Sequence, residues 1–128
     1  MKRVLSFACV ALLLSGCATM SSLQPSAGGE TFQVQGRTYD QVWNAAVETA
    51  GVSLTIDQSD KATGTIKAER EASATSWGEV VGIFIRPSKP GASAYTVEVE
   101  SMERDKLQLT GENWAQTMVT GIKARLGL

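Results

Sequence analysis

Apolar and polar positions follow two different periods along residues 31–128. Thr31 to Gly36 alternates weakly, which predicts a short strand. Over 38–50, Tyr39, Val42, Trp43, Ala46, Val47 and Ala50 recur at spacings of three and four. That spacing predicts a helix with one apolar face. Thr38 and Gln41 form a capping-box pair at its start, and Gly51 predicts its stop. Period two then takes over. Over 52–57, Val52, Leu54 and Ile56 alternate with Ser53, Thr55 and Asp57, and 58–62 reads as a turn. Over 63–70, Ile66 and Ala68 share one side, with Thr65, Lys67 and Glu69 on the other. Apolar residues take both parities over 77–86. Over 94–101, Tyr95, Val97 and Val99 point in while Thr96, Glu98 and Glu100 point out; over 106–109, Leu107 and Leu109 alternate with Lys106 and Gln108. A final helix over 112–126 carries Trp114, Met118, Ile122 and Leu126 at every fourth position, with Gly121 as a weak point inside it.

The order β-α-β-β-β-β-α implies an α+β fold in two layers: an antiparallel sheet of four to five strands with both helices packed on one face. One-sided strand alternation suits an antiparallel sheet, and two amphipathic helices must bury their stripes against its apolar side. Roughly a hundred residues suffice for one hydrophobic core. No repeat of 20–50 residues is evident.

Upstream, the pattern changes. Lys2-Arg3 precedes an eleven-residue apolar run from Val4 to Leu14, followed by Ser15, Gly16 and Cys17. A run of this length fits a secretory signal and falls short of the ~20 residues that span a bilayer. The expected division is a cleaved signal over 1–16, a tether over 17–30 and a folded domain over 31–128. Ala18 to Glu30 is rich in Ser, Gly, Ala and Pro and shows no period, so it reads as flexible chain. Its thirteen residues would give a span of roughly 20 Å.

Leu14-Ser15-Gly16-Cys17 resembles the lipobox of bacterial lipoproteins. That resemblance implies that the Cys17 thiol receives a diacylglyceryl group, that cleavage falls just before it, and that the new amine is acylated. Two or three acyl chains make a stable anchor, whereas one binds only marginally. In many Gram-negative members an Asp after the cysteine retains the protein in the inner membrane. Ala18 at that position implies the outer membrane, on its periplasmic face, or the outer face of the cell membrane in a host with a single membrane.

Composition narrows the chemistry. The chain has no histidine, and its two cysteines are Cys9, in the leader, and Cys17. The expected mature domain therefore lacks imidazole and free thiol. That excludes zinc sites built from Cys and His, Ser-His-Asp and Cys-His catalysis, and haem or iron–sulfur ligation by those side chains. No cofactor and no metal are expected. Twelve basic and thirteen acidic residues give a net charge of −1; removing Lys2 and Arg3 leaves ten against thirteen, or −3. A nucleic-acid partner calls for the opposite balance. G-x-S-x-G, S-x-x-K, G-x-G-x-x-G and the P-loop are absent from the sequence. A non-enzymatic role is the leading expectation.

Three sets of residues are candidates for function. Val80 and Phe84 share the outward parity of the strand over 77–86, beside Gly78 and Gly82. On a wet face they form an apolar partner-binding patch that the glycines let a partner backbone approach. The other reading is a central strand covered by the linker or the following loop. Glu98 and Glu100 lie one pleat apart, about 7 Å, a spacing within reach of carboxylate-based glycan hydrolysis; the other reading is a solvated strand face with Lys67 opposite. Arg86 to Gly91 carries two cations, Arg86 and Lys89, and reads as a hairpin connection. Trp43 and Trp114 lie on helix stripes and read as core.

The domain also resembles small periplasmic α+β lipoprotein domains such as those of the lipoprotein C component of the barrel-assembly machinery. The shared features are the lipobox, the tether, the early helix with Tyr39 and Trp43, the Trp77-Gly78 strand start and the final helix with Trp114. The resemblance implies a membrane-held binding or scaffolding module with an envelope protein or glycan as partner. The alternatives are a small carboxylate-dependent hydrolase of wall glycan, and a carrier of a small apolar ligand between helices and sheet.

Overall fold

The computed structural model describes residues 18–25, 28–74, 78–89, 93–104 and 113–128. Cys17, Trp77, Leu107 and Leu109 lie outside the described residues, as does the strand expected over 106–109.

Five strands, β1 (Glu30–Gln35), β2 (Thr55–Asp60), β3 (Thr65–Arg70), β4 (Glu79–Pro87) and β5 (Ala94–Glu103), form one antiparallel sheet in the order β1-β5-β4-β3-β2. Helix α1 (Tyr39–Ser53) follows β1, and α2 (Trp114–Leu126) closes the domain. Both helices pack on one face, as the sequence pattern predicts. Their stripes, with Val42, Trp43, Ala46, Met118 and Ile122, share a single core with Val34, Ile66, Val81, Ile83, Val97 and Val99 from the sheet. Trp43 and Trp114 are both buried there. The guanidinium of Arg70 lies 5.1 Å from the centre of the Trp114 ring system.

Local chemistry sets the element ends. Thr38 caps α1 as a reciprocal pair. Gln41 N–H donates to Thr38 Oγ1 at 3.2 Å, and Thr38 N–H donates to Gln41 Oε1 at 2.8 Å. These bonds satisfy two backbone donors that a helix start would otherwise leave unpaired. Asn113 caps α2, accepting from Gln116 N–H at 3.1 Å. At the far end of α2, Arg37 Nε and Nη2 donate to the Leu126 carbonyl at 3.1 and 2.7 Å. That contact ties the β1–α1 connection to the helix terminus.

The expected stop at Gly51 is overturned. Helix α1 runs on through Gly51, Val52 and Ser53, and Leu54 takes the cap in extended conformation. Val52 is 72 % exposed on the helix, and Leu54 is buried. The extra turn delivers Leu54 to the core, a tertiary gain that outweighs the roughly 1 kcal/mol cost of one helical glycine. Strand β2 accordingly starts at Thr55 and extends to Asp60, with a register irregularity between Ile56 and Gln58. The turn shifts from the expected 58–62 to 61–64. Gly64 ends it at φ +69°, where a Cβ would collide with the Ile85 carbonyl.

Gly121 has a use in the interior of α2. A Cβ there would lie 2.6 Å from Thr49 Cγ2 on α1. The missing side chain lets the two helices cross closely.

Candidate functional site

The middle of the sheet face turned away from the helices is also covered. Residues 18–25, expected to belong to a free tether, dock across it as a strap. A short 3-10 turn, Met20–Ser22, is closed by Ser22 N–H donating to the Thr19 carbonyl at 2.9 Å. The chain then drops Leu23 onto the sheet, where it is 1 % exposed. Leu23, Val80 and Phe84 form a second apolar cluster, with Ala18, Met20 and Met102 packed around it.

The seat of the strap is a row across three neighbouring strands. Lys67 on β3 is in register with Gly82 on β4, and Gly82 with Glu100 on β5. With strands about 4.8 Å apart, the two charged residues stand about 10 Å from each other. Between them Gly82 leaves a gap. The ring of Phe84 folds into it, with Cε2 and Cζ 2.9 Å from where a Cβ would be, and Leu23 Cβ lies 3.4 Å from the same point. An aromatic ring lying over a strand glycine covers backbone that would otherwise be bare. The flanking charges hold the strap by its main chain. Lys67 Nζ donates to the Met20 carbonyl at 3.1 Å, and Gln24 N–H donates to Glu100 Oε2 at 3.3 Å. Bonds with one ionised partner are the stronger kind.

This geometry corrects two expectations. Val80 and Phe84 do not form an open patch; they are 0 % and 2 % exposed because the strap lies on them. The linker is the cover, which was the other reading of that strand. Glu98 and Glu100 do not stand on a solvated face either, being 2 % and 5 % exposed. Glu98 Oε2 accepts from Arg86 Nη2 at 2.7 Å, and Glu100 is spent on the strap. Lys67 does lie across from Glu100, with Gly82 between, but its ammonium reaches the strap. A glycan hydrolase needs its two carboxylates open to a sugar, and here both are turned to structural partners. Of the loop expected over 86–91, Arg86 and Pro87 belong to β4, Ser88 N–H bonds the Ala94 carbonyl at 2.9 Å, and residues 90–91 lie outside the described residues.

Leu23 is the residue that sequence reasoning missed. The signal was present: it is the only branched aliphatic side chain between Leu14 and Phe32, in a stretch of small and polar residues.

Two surface hollows lie away from the strap. One, of about 250 Å³, is bordered by Arg37, Gln41, Glu48 and Arg125. The other, of about 430 Å³, is bordered by Arg37, Tyr39, Ser93 and Tyr95 at the start of α1. Tyr39 and Tyr95 meet there with ring centres 5.6 Å apart. The Tyr39 hydroxyl donates to the Lys61 carbonyl at 2.6 Å. Burial raises the Tyr39 pKa above its ordinary 10.0. The charge of Lys61 works against that rise, and Asp60, Tyr95 and Asp40 add to it.

No family model and no curated protein matches the chain. Among solved structures, the adenylate sensor from AMP-activated protein kinase is similar at 10 % identity and a TM-score of 0.49, over 71 % of this chain and 93 % of that one. Ara h 8.0201 is similar at 12 % identity and a TM-score of 0.43, over 79 % and 100 %. A DUF4468 family protein from Bacteroides ovatus is similar at 17 % identity and a TM-score of 0.29, over 78 % and 79 %. Likeness at this level carries no argument about what the chain does.

Proposed function

We propose that this chain is a lipid-anchored binding or scaffolding module of the cell envelope, without enzymatic activity. The observation that carries the reading is Leu14-Ser15-Gly16-Cys17 at the end of an eleven-residue apolar run that follows Lys2-Arg3. Cys17 is the lipid attachment site in this reading, and Ala18 directs the protein to the periplasmic face of the outer membrane. The mechanism is tethering. Confinement to a membrane raises the local concentration of the domain near envelope partners, so a weak contact suffices. The burial of Glu98 beside Arg86 and of Glu100 against the strap favours this reading over glycan hydrolysis.

The test is affinity capture of the tagged protein from crosslinked cells, read by mass spectrometry beside a Cys17→Ala variant. The reading predicts a defined envelope protein or glycan fragment that is recovered with the parent and lost with the variant. Equal recovery of the same partner from both would contradict tethering as the mechanism.

A further inference from the structure

The strap has a consequence for how an anchored domain meets its membrane. A free tether of thirteen residues would let the domain stand roughly 20 Å away and turn at random. Instead Ala18 packs against the cluster of Leu23, Val80 and Phe84 on the outer sheet face. In the sequence Cys17 is joined directly to Ala18, with no residue between them to act as slack. Acyl chains on Cys17 would therefore leave the protein from the outer face of the sheet, the side opposite α1 and α2.

We infer that the docked strap holds the domain directly on the lipid headgroups, with the outer face of the sheet toward the bilayer and both helices turned away. The inference rests on the anchoring reading of Cys17. The strap is built for this load. Lys67 and Glu100 grip its main chain on either side of Leu23, and Leu23 is locked over Gly82 beside the Phe84 ring. A pull on Cys17 is thus passed to β3, β4 and β5 together, at the centre of the sheet.

The experiment uses the full lipidated chain in vesicles of phosphatidylethanolamine and phosphatidylglycerol that carry an acceptor dye at headgroup level. A donor dye is placed on a single introduced cysteine, Thr31→Cys on the outer face of β1 or Asn44→Cys on the exposed side of α1. Lipid occupies the Cys17 thiol, so each chain takes one dye. A helix layer on a sheet separates the two positions by about 15–20 Å along the membrane normal. The expected result is at least about twofold stronger transfer from position 31 than from position 44. Leu23→Asp, which unseats the strap, should bring the two to the same low level. Lys67→Met with Glu100→Leu removes both grips on the main chain and should do the same if Leu23→Asp does not fold. Equal transfer from both positions in the lipidated parent, unchanged by either variant, overturns the inference and leaves the anchor standing. A chain whose intact mass shows no lipid overturns the anchoring reading itself.

Discussion

Leu23 and Gly82 meet as plug and seat: Leu23 Cβ lies 3.4 Å from the point where a side chain at position 82 would begin. The two residues are 59 positions apart in the chain. Their contact joins the segment after Cys17 to the middle strand of the sheet. It also fixes the Phe84 ring, which occupies the rest of the space above Gly82.

Gly82→Ala should therefore destabilise the protein, although alanine suits a strand at least as well as glycine. The new methyl would lie 2.9 Å from two atoms of a buried ring, so Phe84 must move within a cluster it shares with Leu23 and Val80. Overpacking of this kind costs about 1–3 kcal/mol. Chemical denaturation checks it, and a double-mutant cycle with Phe84→Leu should show a coupling above ~0.5 kcal/mol, as expected for residues in contact.

Leu23→Ala should loosen the strap without melting the domain. Leu23 belongs to the outer cluster, and the core between helices and sheet is built without it. Native-state hydrogen exchange should show protection lost at residues 20–24 and kept at Val81, Ile83 and Val97, since local opening need not involve the global unfolding unit. Loss of protection throughout the sheet would mean that the strap is part of the cooperative core.

Gly121→Ala should destabilise the helix pair. By helix propensity alone the change is favourable by about 1 kcal/mol. The contact with Thr49 Cγ2 at 2.6 Å reverses the sign. Removing that methyl with Thr49→Ser, which keeps the hydroxyl that donates to the Ala45 carbonyl at 2.6 Å, should restore stability to the Gly121→Ala protein. Thermal unfolding of the two single variants and the double variant decides it.

Tyr39 should make part of the alkaline unfolding of the protein. Its folded pKa is raised by burial, so the folded state holds the phenol proton more tightly than the unfolded chain. The associated stability is fully present below pH 10 and is lost as pH rises through the folded value. Tyr39→Phe should flatten stability against pH in that alkaline range relative to the parent. It should also lose about 1 kcal/mol at neutral pH with the bond to the Lys61 carbonyl. A parallel fall in both proteins above pH 10 would assign the alkaline loss to other groups.

The parts of this fold legible in the sequence are those fixed by near neighbours. The capping pair Thr38–Gln41 announces the start of α1, and the alternation of Tyr95, Val97 and Val99 announces β5 and its inward face. Whether the opposite face is wet is a tertiary fact. Glu98 and Glu100 read as solvated because carboxylates alternating with valines usually are; Glu98 is instead paired with Arg86, and the strap that binds Glu100 comes from more than seventy residues upstream. The same holds for Val80 and Phe84: period two placed them on the outer side, and only the position of Leu23 shows that the outer side is closed. Gly51 misled for a related reason. A glycine stops a helix where nothing rewards the next turn, and here the next turn brings Leu54 into the core. Gly121 reads as a defect until the facing Thr49 is known.

The central claim is the anchor at Cys17, and intact-mass measurement of the protein extracted from its native membrane tests it most directly. The account predicts a chain beginning at Cys17, heavier than residues 17–128 by a diacylglyceryl group, with a further acyl chain on the new amine. A mature chain cut elsewhere, or one beginning at Cys17 with a free thiol, would contradict it.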